Sequence, residues 1–136
     1  MAREIEYRDP AVNWETRPFW EGCARGELVL QRCRDCGAVQ HRPRALCVAC
    51  LSSGIEHFAA SGRGSVHSYT VVRQNQLAPF SACTPYVVAE IELEEGPRLL
   101  ASVVGCEPER VSIGMPVAAD FVATGEFAVP RFRPRA

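Results

Sequence analysis

A chain of 136 residues with 47% hydrophobic content has room for one ordinary domain, or for a small metal module joined to a small β domain, and is too apolar for wholesale disorder. Its formal charge is −1, from 16 acids against 15 basic residues that are all arginine, which is not the balance of a dedicated nucleic-acid binder. The opening residues carry no apolar core of signal-peptide length, and no later run approaches the ~20 apolar residues of a membrane span. A cytoplasmic protein without a membrane partner is therefore expected, and in a reducing compartment cysteine pairs serve metals or redox chemistry, not disulfide staples.

Residues 1–13 are polar and without period, and read as a loose arm. A helix is expected from Thr16, a possible N-cap, with Pro18 in the first turn, Phe19, Trp20 and Cys23 at helical spacing, and Gly26 as its stop. Glu27–Arg32 reads as a strand running into Cys33-Arg34-Asp35-Cys36-Gly37, and Ala38–His41 as its return, ended by Pro43. A second pair, Cys47-Val48-Ala49-Cys50, follows. Two thiolates three positions apart on a tight turn can point at one ion, and two such knuckles complete the tetrahedral all-sulfur set that zinc takes in structural sites. Strand, knuckle, return strand and second knuckle make a zinc ribbon, with Cys33, Cys36, Cys47 and Cys50 as ligands. Four thiolates also bind iron, so an iron electron carrier is the alternative. A zinc held by four thiolates brings the chain to a net charge of about −3.

After Gly54 short strands alternate with turn signals. Ser65–Arg73 places Val66, Ser68, Thr70 and Val72 on one face and His67, Tyr69 and Val71 on the other. Tyr86–Leu93 turns Val87, Ala89, Ile91 and Leu93 inward, Glu94-Glu95-Gly96 makes a hairpin turn, and Arg98–Val104 returns. Pro116 onward and Phe127–Phe132 supply two more strands, and residues 74–85 form a long irregular insert. The expected fold is mainly β: arm and short helix over 1–26, zinc ribbon over 27–56, and a closed five-stranded OB-fold barrel over 57–136.

These segments also carry a resemblance. Phe19-Trp20-Glu21-Gly22, Leu28-Val29-Leu30-Gln31-Arg32-Cys33 with Cys36-Gly37, and Pro43-Arg44 before Cys47 are its first part. Gly62-Arg63-Gly64-Ser65-Val66 with Ser68-Tyr69-Thr70, and Ile113-Gly114-Met115-Pro116-Val117, continue it. Together they resemble the bacterial and archaeal proteins that join a rubredoxin-like zinc ribbon to an OB-fold and accompany thiolase-type enzymes. The resemblance implies a non-catalytic accessory subunit with a thiolase-like partner and an association with acyl-CoA. Partners in that family include thiolases, hydroxymethylglutaryl-CoA synthase and lipid-transfer-type thiolases or aldolases. Some members have lost the knuckle cysteines, whereas this chain retains all four.

Several residues have two readings. Arg32, Arg34, Arg42 and Arg44 crowd the knuckles against a single nearby acid, Asp35, and either offset the charge of the zinc-thiolate centre or meet a ligand phosphate or an acidic partner. Phe19 and Trp20 either pack in the core or line an apolar groove for an acyl chain or a partner, since a short helix cannot easily bury two adjacent large aromatics. Arg42, Arg44, Phe19 and Trp20 are thus the candidate acyl-CoA or partner residues. Single-stranded nucleic acid is the alternative ligand for an OB-fold, but residues 57–136 hold seven arginines against eight acids, and the central hairpin turns Glu90 and Glu92 outward. No catalytic residue is expected: His41, His57 and His67 are scattered, and Cys83 is the one cysteine outside the knuckles worth testing as a nucleophile. The Arg131–Ala136 tail reads either as a docking segment or as a frayed end.

Overall fold

The computed structural model describes residues 4–135. Residues 1–3 of the arm and Ala136 of the tail lie outside the described residues. The helix α1 spans Arg17–Ala24. Thr16 sits at its N-cap but makes no side-chain cap bond; Asn13 instead accepts the Thr16 N–H on its side chain and the Arg17 N–H on its carbonyl. The C-terminus closes as expected: Gly26 takes φ +79°, its N–H donates to the Cys23 carbonyl, and the Glu27 N–H reaches back to Gly22. Phe19 and Cys23 are buried, and Gly22 lets the helix lie against the next strand, where a Cβ would collide with the Val29 side chain.

Strands β1 (Val29–Cys33), β2 (Val39–Gln40) and β3 (Ile55–Ala59) form a small antiparallel sheet in the order β2-β1-β3. The sequence reading contains no β3, in which Ile55 and Phe58 are the only large apolar side chains and no residue is fully buried. It straddles residues 56 and 57, so the ribbon's sheet extends past the expected junction.

Strands β4 (Arg63–Val72), β5 (Tyr86–Leu93), β6 (Arg98–Val103), β7 (Pro116–Ala123) and β8 (Ala128–Pro134) close a barrel in the order β4-β5-β6-β8-β7. β6 and β8 meet in parallel at Val103 and Phe132, and β7 returns antiparallel to β4. This is the five-stranded OB arrangement. Val87, Ala89, Ile91 and Leu93 all point inward, at 2% exposure or less. The β4 alternation needs correction. A bulge between Val66 and Ser68 inserts one extra residue, so Tyr69 and Val71, not Ser68 and Thr70, fall on the same side of the strand as Val66; Val71 packs against the core, while Tyr69 remains 40% exposed.

Two end segments also differ from expectation. The arm is strapped down: Glu4 pairs with Arg131 at 2.9 Å, and the Tyr7 hydroxyl shares a hydrogen bond with Ser102 at 3.0 Å. Asp9 accepts from the Thr124 hydroxyl at 2.5 Å and from the Glu126 and Phe127 N–H groups, both at 3.2 Å. These donors, the hydroxyl first, hold the Asp9 carboxyl below its ordinary range. The tail is not frayed through its described length: it forms the end of β8, with Arg133, Pro134 and Arg135 exposed. Arg131 is buried between Asp120 and Glu4, and Phe132 is 0% exposed at the centre of the core. A single hydrophobic cluster contains Phe19, Leu28 and Leu30 from the first part of the chain and Val117 and Phe132 from the barrel.

Candidate metal centre and ligand groove

Cys33 ends β1, and the chain turns at Gly37 (φ +76°) after delivering Cys36. Cys47 and Cys50 arrive on a second tight turn, closed by the Leu51 N–H donating to the Cys47 carbonyl at 2.9 Å. The Cys33 and Cys50 sulfurs lie 3.6 Å apart, as do those of Cys36 and Cys47, and all four sulfurs fall within 4.8 Å of one another. Sulfurs arranged tetrahedrally around one zinc stand about 3.8 Å apart. The cluster is therefore consistent with a Zn2+ site on both geometry and donor chemistry. A full set of four sulfurs leaves no open position on the ion, so such a site is structural.

The backbone favours the ligating form. The Cys36 N–H, directed at the Cys33 sulfur, is foremost in bringing that thiol down to about 6, against the opposing effect of desolvation. The Cys50 N–H acts in the same way on Cys47. In each knuckle the first cysteine is buried and the second exposed.

The four arginines around the knuckles divide into two pairs. Arg32 and Arg34 lie 4.0 and 3.5 Å from Glu56, and the Arg32 guanidinium stacks 4.0 Å above the Phe58 ring. Both partners come from β3, the strand the sequence did not reveal. Asp35, the acid that the sequence suggests, accepts a short hydrogen bond from Ser52 instead. Arg42 and Arg44 enter no ion pair among the described residues.

Arg42 and Arg44 line a groove of about 1010 Å³ together with Phe19 and Trp20. Further wall comes from β5 and β6, including Val88, Glu90 and Leu100, from Gln40 and Val48 of the ribbon, and from Tyr7 of the arm. Phe19 serves both of its readings, being 4% exposed in the core and still edging the groove. Trp20 stands edge-on to it at 4.9 Å and is half-buried. His41 packs 5.0 Å from Phe19. Burial, and secondarily the Arg42 charge, push its pKa down to about 4, so the groove wall carries a neutral imidazole near pH 7.

The remaining sequence candidates lie elsewhere. Cys83 is 3% exposed, and its thiol points at the carbonyls of Pro79 (3.2 Å) and Glu4 (3.6 Å), with no histidine or arginine among the described residues bonded to it. It borders a separate cleft of about 540 Å³. His57 and His67 are exposed on β3 and β4. The groove residues that sequence reasoning missed are those of the arm and those of the barrel wall, Val88 and Leu100 among them. Tyr7 reaches Ser102 across 95 positions, and a polar aperiodic segment gives no local sign of such a contact.

Comparison with known proteins gives two family models that divide the chain. The ChsH2 rubredoxin-like zinc ribbon domain matches residues 20–56, and the ChsH2 C-terminal OB-fold domain matches residues 58–122. A protein of Thermomonospora curvata named "Probable enoyl-CoA hydratase alpha subunit" is 39% identical over 92% of this chain. The chain spans 39% of that subunit's length. A DUF35 domain-containing scaffold protein of Methanocaldococcus jannaschii is 43% identical over 69% of this chain and 67% of its own. Among solved structures, a chain of the Ltp2-ChsH2(DUF35) aldolase superposes with a TM-score of 0.84 at 38% identity, covering 93% of this chain and 98% of that one.

Proposed function

The chain belongs to the ChsH2 (DUF35) family, and from that membership we propose that it is a non-catalytic accessory subunit which docks on a thiolase-fold or lipid-transfer-type thiolase/aldolase partner and helps form or assemble its acyl-CoA site. The observation that supports this best is the groove that Phe19, Trp20, Arg42 and Arg44 line together. An acyl-CoA pairs an apolar chain with a phosphate-bearing nucleotide. Phe19 and Trp20 supply apolar wall, and two arginines without acidic partners supply charge for phosphate. Cys33, Cys36, Cys47 and Cys50 hold Zn2+, which fixes the ribbon and with it the Arg42–Arg44 side of the groove. The nucleophile and bases belong to the partner, and the complex works in the cytoplasm. The working division of the chain is arm and helix (1–26), ribbon (27–56) and barrel (57–136).

Binding of single-stranded nucleic acid finds less support. Tyr86 is half-buried, its hydroxyl accepting from the Asn75 side-chain amide, so it offers no free stacking platform on the central hairpin.

Gentle co-purification of the tagged protein from its native host tests the reading. A thiolase-like enzyme in near-stoichiometric amount is the expected result; recovery of the zinc-bound chain alone counts against it. Trp20→Ala is expected to weaken partner assembly or acyl-CoA binding about tenfold while leaving zinc content unchanged. Unchanged assembly and binding in a folded Trp20→Ala protein would remove Trp20 from the site.

A further inference from the structure

Gln31 and Gln40 face each other across β1 and β2 and are 3% and 6% exposed. With Arg131 they are the buried polar side chains among the described residues. Two amides withdrawn from water are costly unless every polar atom finds a partner. Here the partners belong almost wholly to one short stretch of backbone. The Gln31 carbonyl oxygen accepts the Arg44 N–H at 2.9 Å, and the Gln31 amide donates to the Arg44 carbonyl at 2.9 Å. One side chain therefore holds both main-chain groups of Arg44. Gln40 donates to the Gln31 oxygen at 2.8 Å and to the Leu46 carbonyl at 3.2 Å, and it accepts the Val48 N–H at 3.0 Å.

Residues 44–46 belong to no helix or strand; besides the two glutamines, only the Ala45 N–H, donating to Glu15 at 3.1 Å, ties them among the described residues before the knuckle's own turn begins at Cys47. The knuckle anchors this stretch at Cys47, three residues beyond Arg44. An arginine on an untethered loop would have to be ordered each time an anion bound, at a cost in affinity that a fixed backbone avoids. Arg44 lines the groove and has no acidic partner among the described residues, which leaves its guanidinium available.

We propose that Gln31 and Gln40 are positioning residues of the groove, holding the Arg44 main chain so that its guanidinium is pre-set for the anionic end of the ligand. The proposal rests on the acyl-CoA reading of the groove given above, and it adds two buried residues, of which Gln40 edges the groove and Gln31 lies behind it.

A double-mutant cycle separates the two ideas. Octanoyl-CoA is titrated calorimetrically into the zinc-loaded full-length chain as wild type, Arg44→Ala, Gln31→Met and the double variant, with zinc content measured in each. Arg44→Ala and Gln31→Met are each expected to weaken binding about tenfold, and the double variant to bind no more weakly than Arg44→Ala alone. A packing defect would not vanish when Arg44 is absent, so this non-additivity is the signature of positioning. Unchanged affinity in Gln31→Met, or a loss that adds in full to that of Arg44→Ala, overturns the proposal and leaves the groove reading standing. Wild-type binding that is absent, or that is indifferent to Arg44→Ala, overturns both. Should Gln31→Met fail to load zinc, Gln31→Glu repeats the cycle: it keeps an acceptor for the Arg44 N–H and replaces the amide that donates to the Arg44 carbonyl, and that lies 3.5 Å from His57 Nε2, with a carboxylate oxygen.

Discussion

His41 illustrates how burial decides the behaviour of a single side chain here. Its ring lies against Phe19 under Arg42, and its pKa of about 4 in the fold is below the unperturbed value of about 6.5. As pH falls, the unfolded chain therefore takes up the proton first. The stability linked to this residue is fully present above about pH 6.5 and is lost progressively toward about pH 4. Thermal melting of the wild type and His41→Gln between about pH 7 and about pH 5 tests this, because thiolate protonation affects both proteins alike. The wild type is expected to lose more of its melting temperature than the variant; parallel losses would mean that His41 is not the group responsible.

At the scale of elements, the sequence was legible where one physical rule acted alone. The strict alternation of Tyr86–Leu93, the paired cysteines and the Gly26 helix stop each depend on neighbours close in the chain, and each is found in place. It was not legible where a distant contact or one inserted residue decided the outcome. The bulge after Val66 reverses the face of every later residue in β4, although the composition still looks like simple alternation. Ile55–Ala59 becomes a strand because β1 offers it an edge, and it then supplies Glu56 to two arginines that appear unpaired in the sequence. Of the groove residues, Phe19, Trp20, Arg42 and Arg44 stood out by type and neighbourhood, whereas Tyr7 did not. The contact between α1 and β1 makes a further prediction. Gly22→Ala would gain about 1 kcal/mol in helix propensity. The new Cβ would collide with Val29 Cγ2 on the buried strand β1 and lie 3.1 Å from the Glu27 carbonyl in the segment leading into it. Overpacking of this kind costs about 1–3 kcal/mol and should prevail, so denaturant unfolding is expected to show a net loss of stability. A stabilised variant would mean that α1 and β1 separate easily.

For the whole molecule, the decisive fact is that ribbon and barrel share one hydrophobic cluster: Leu28 and Leu30 are as deeply buried as Val117 and Phe132. Structural zinc contributes about 10–16 kcal/mol in finger-sized peptides, comparable with the ~5–15 kcal/mol net stability of an entire domain. Removing it should therefore destabilise both parts. Stripping the metal with a strong chelator is expected to lower the melting temperature of the full chain in a single calorimetric transition. Two separate transitions, with the barrel's unmoved, would show that the shared cluster does not couple them. The topology has one more consequence. The barrel closes on itself, though β6 meets β8 only at Val103 and Phe132 and β4 meets β7 only over residues 63–65, whereas among the described residues the small sheet ends in two open edges, β2 and β3. β2 is two residues long and Pro43 follows close behind it, which leaves Ile55–Ala59 as the template on which extra strands could add. In concentrated samples, aggregation should begin at that five-residue edge, with the charge of Glu56 as its main deterrent.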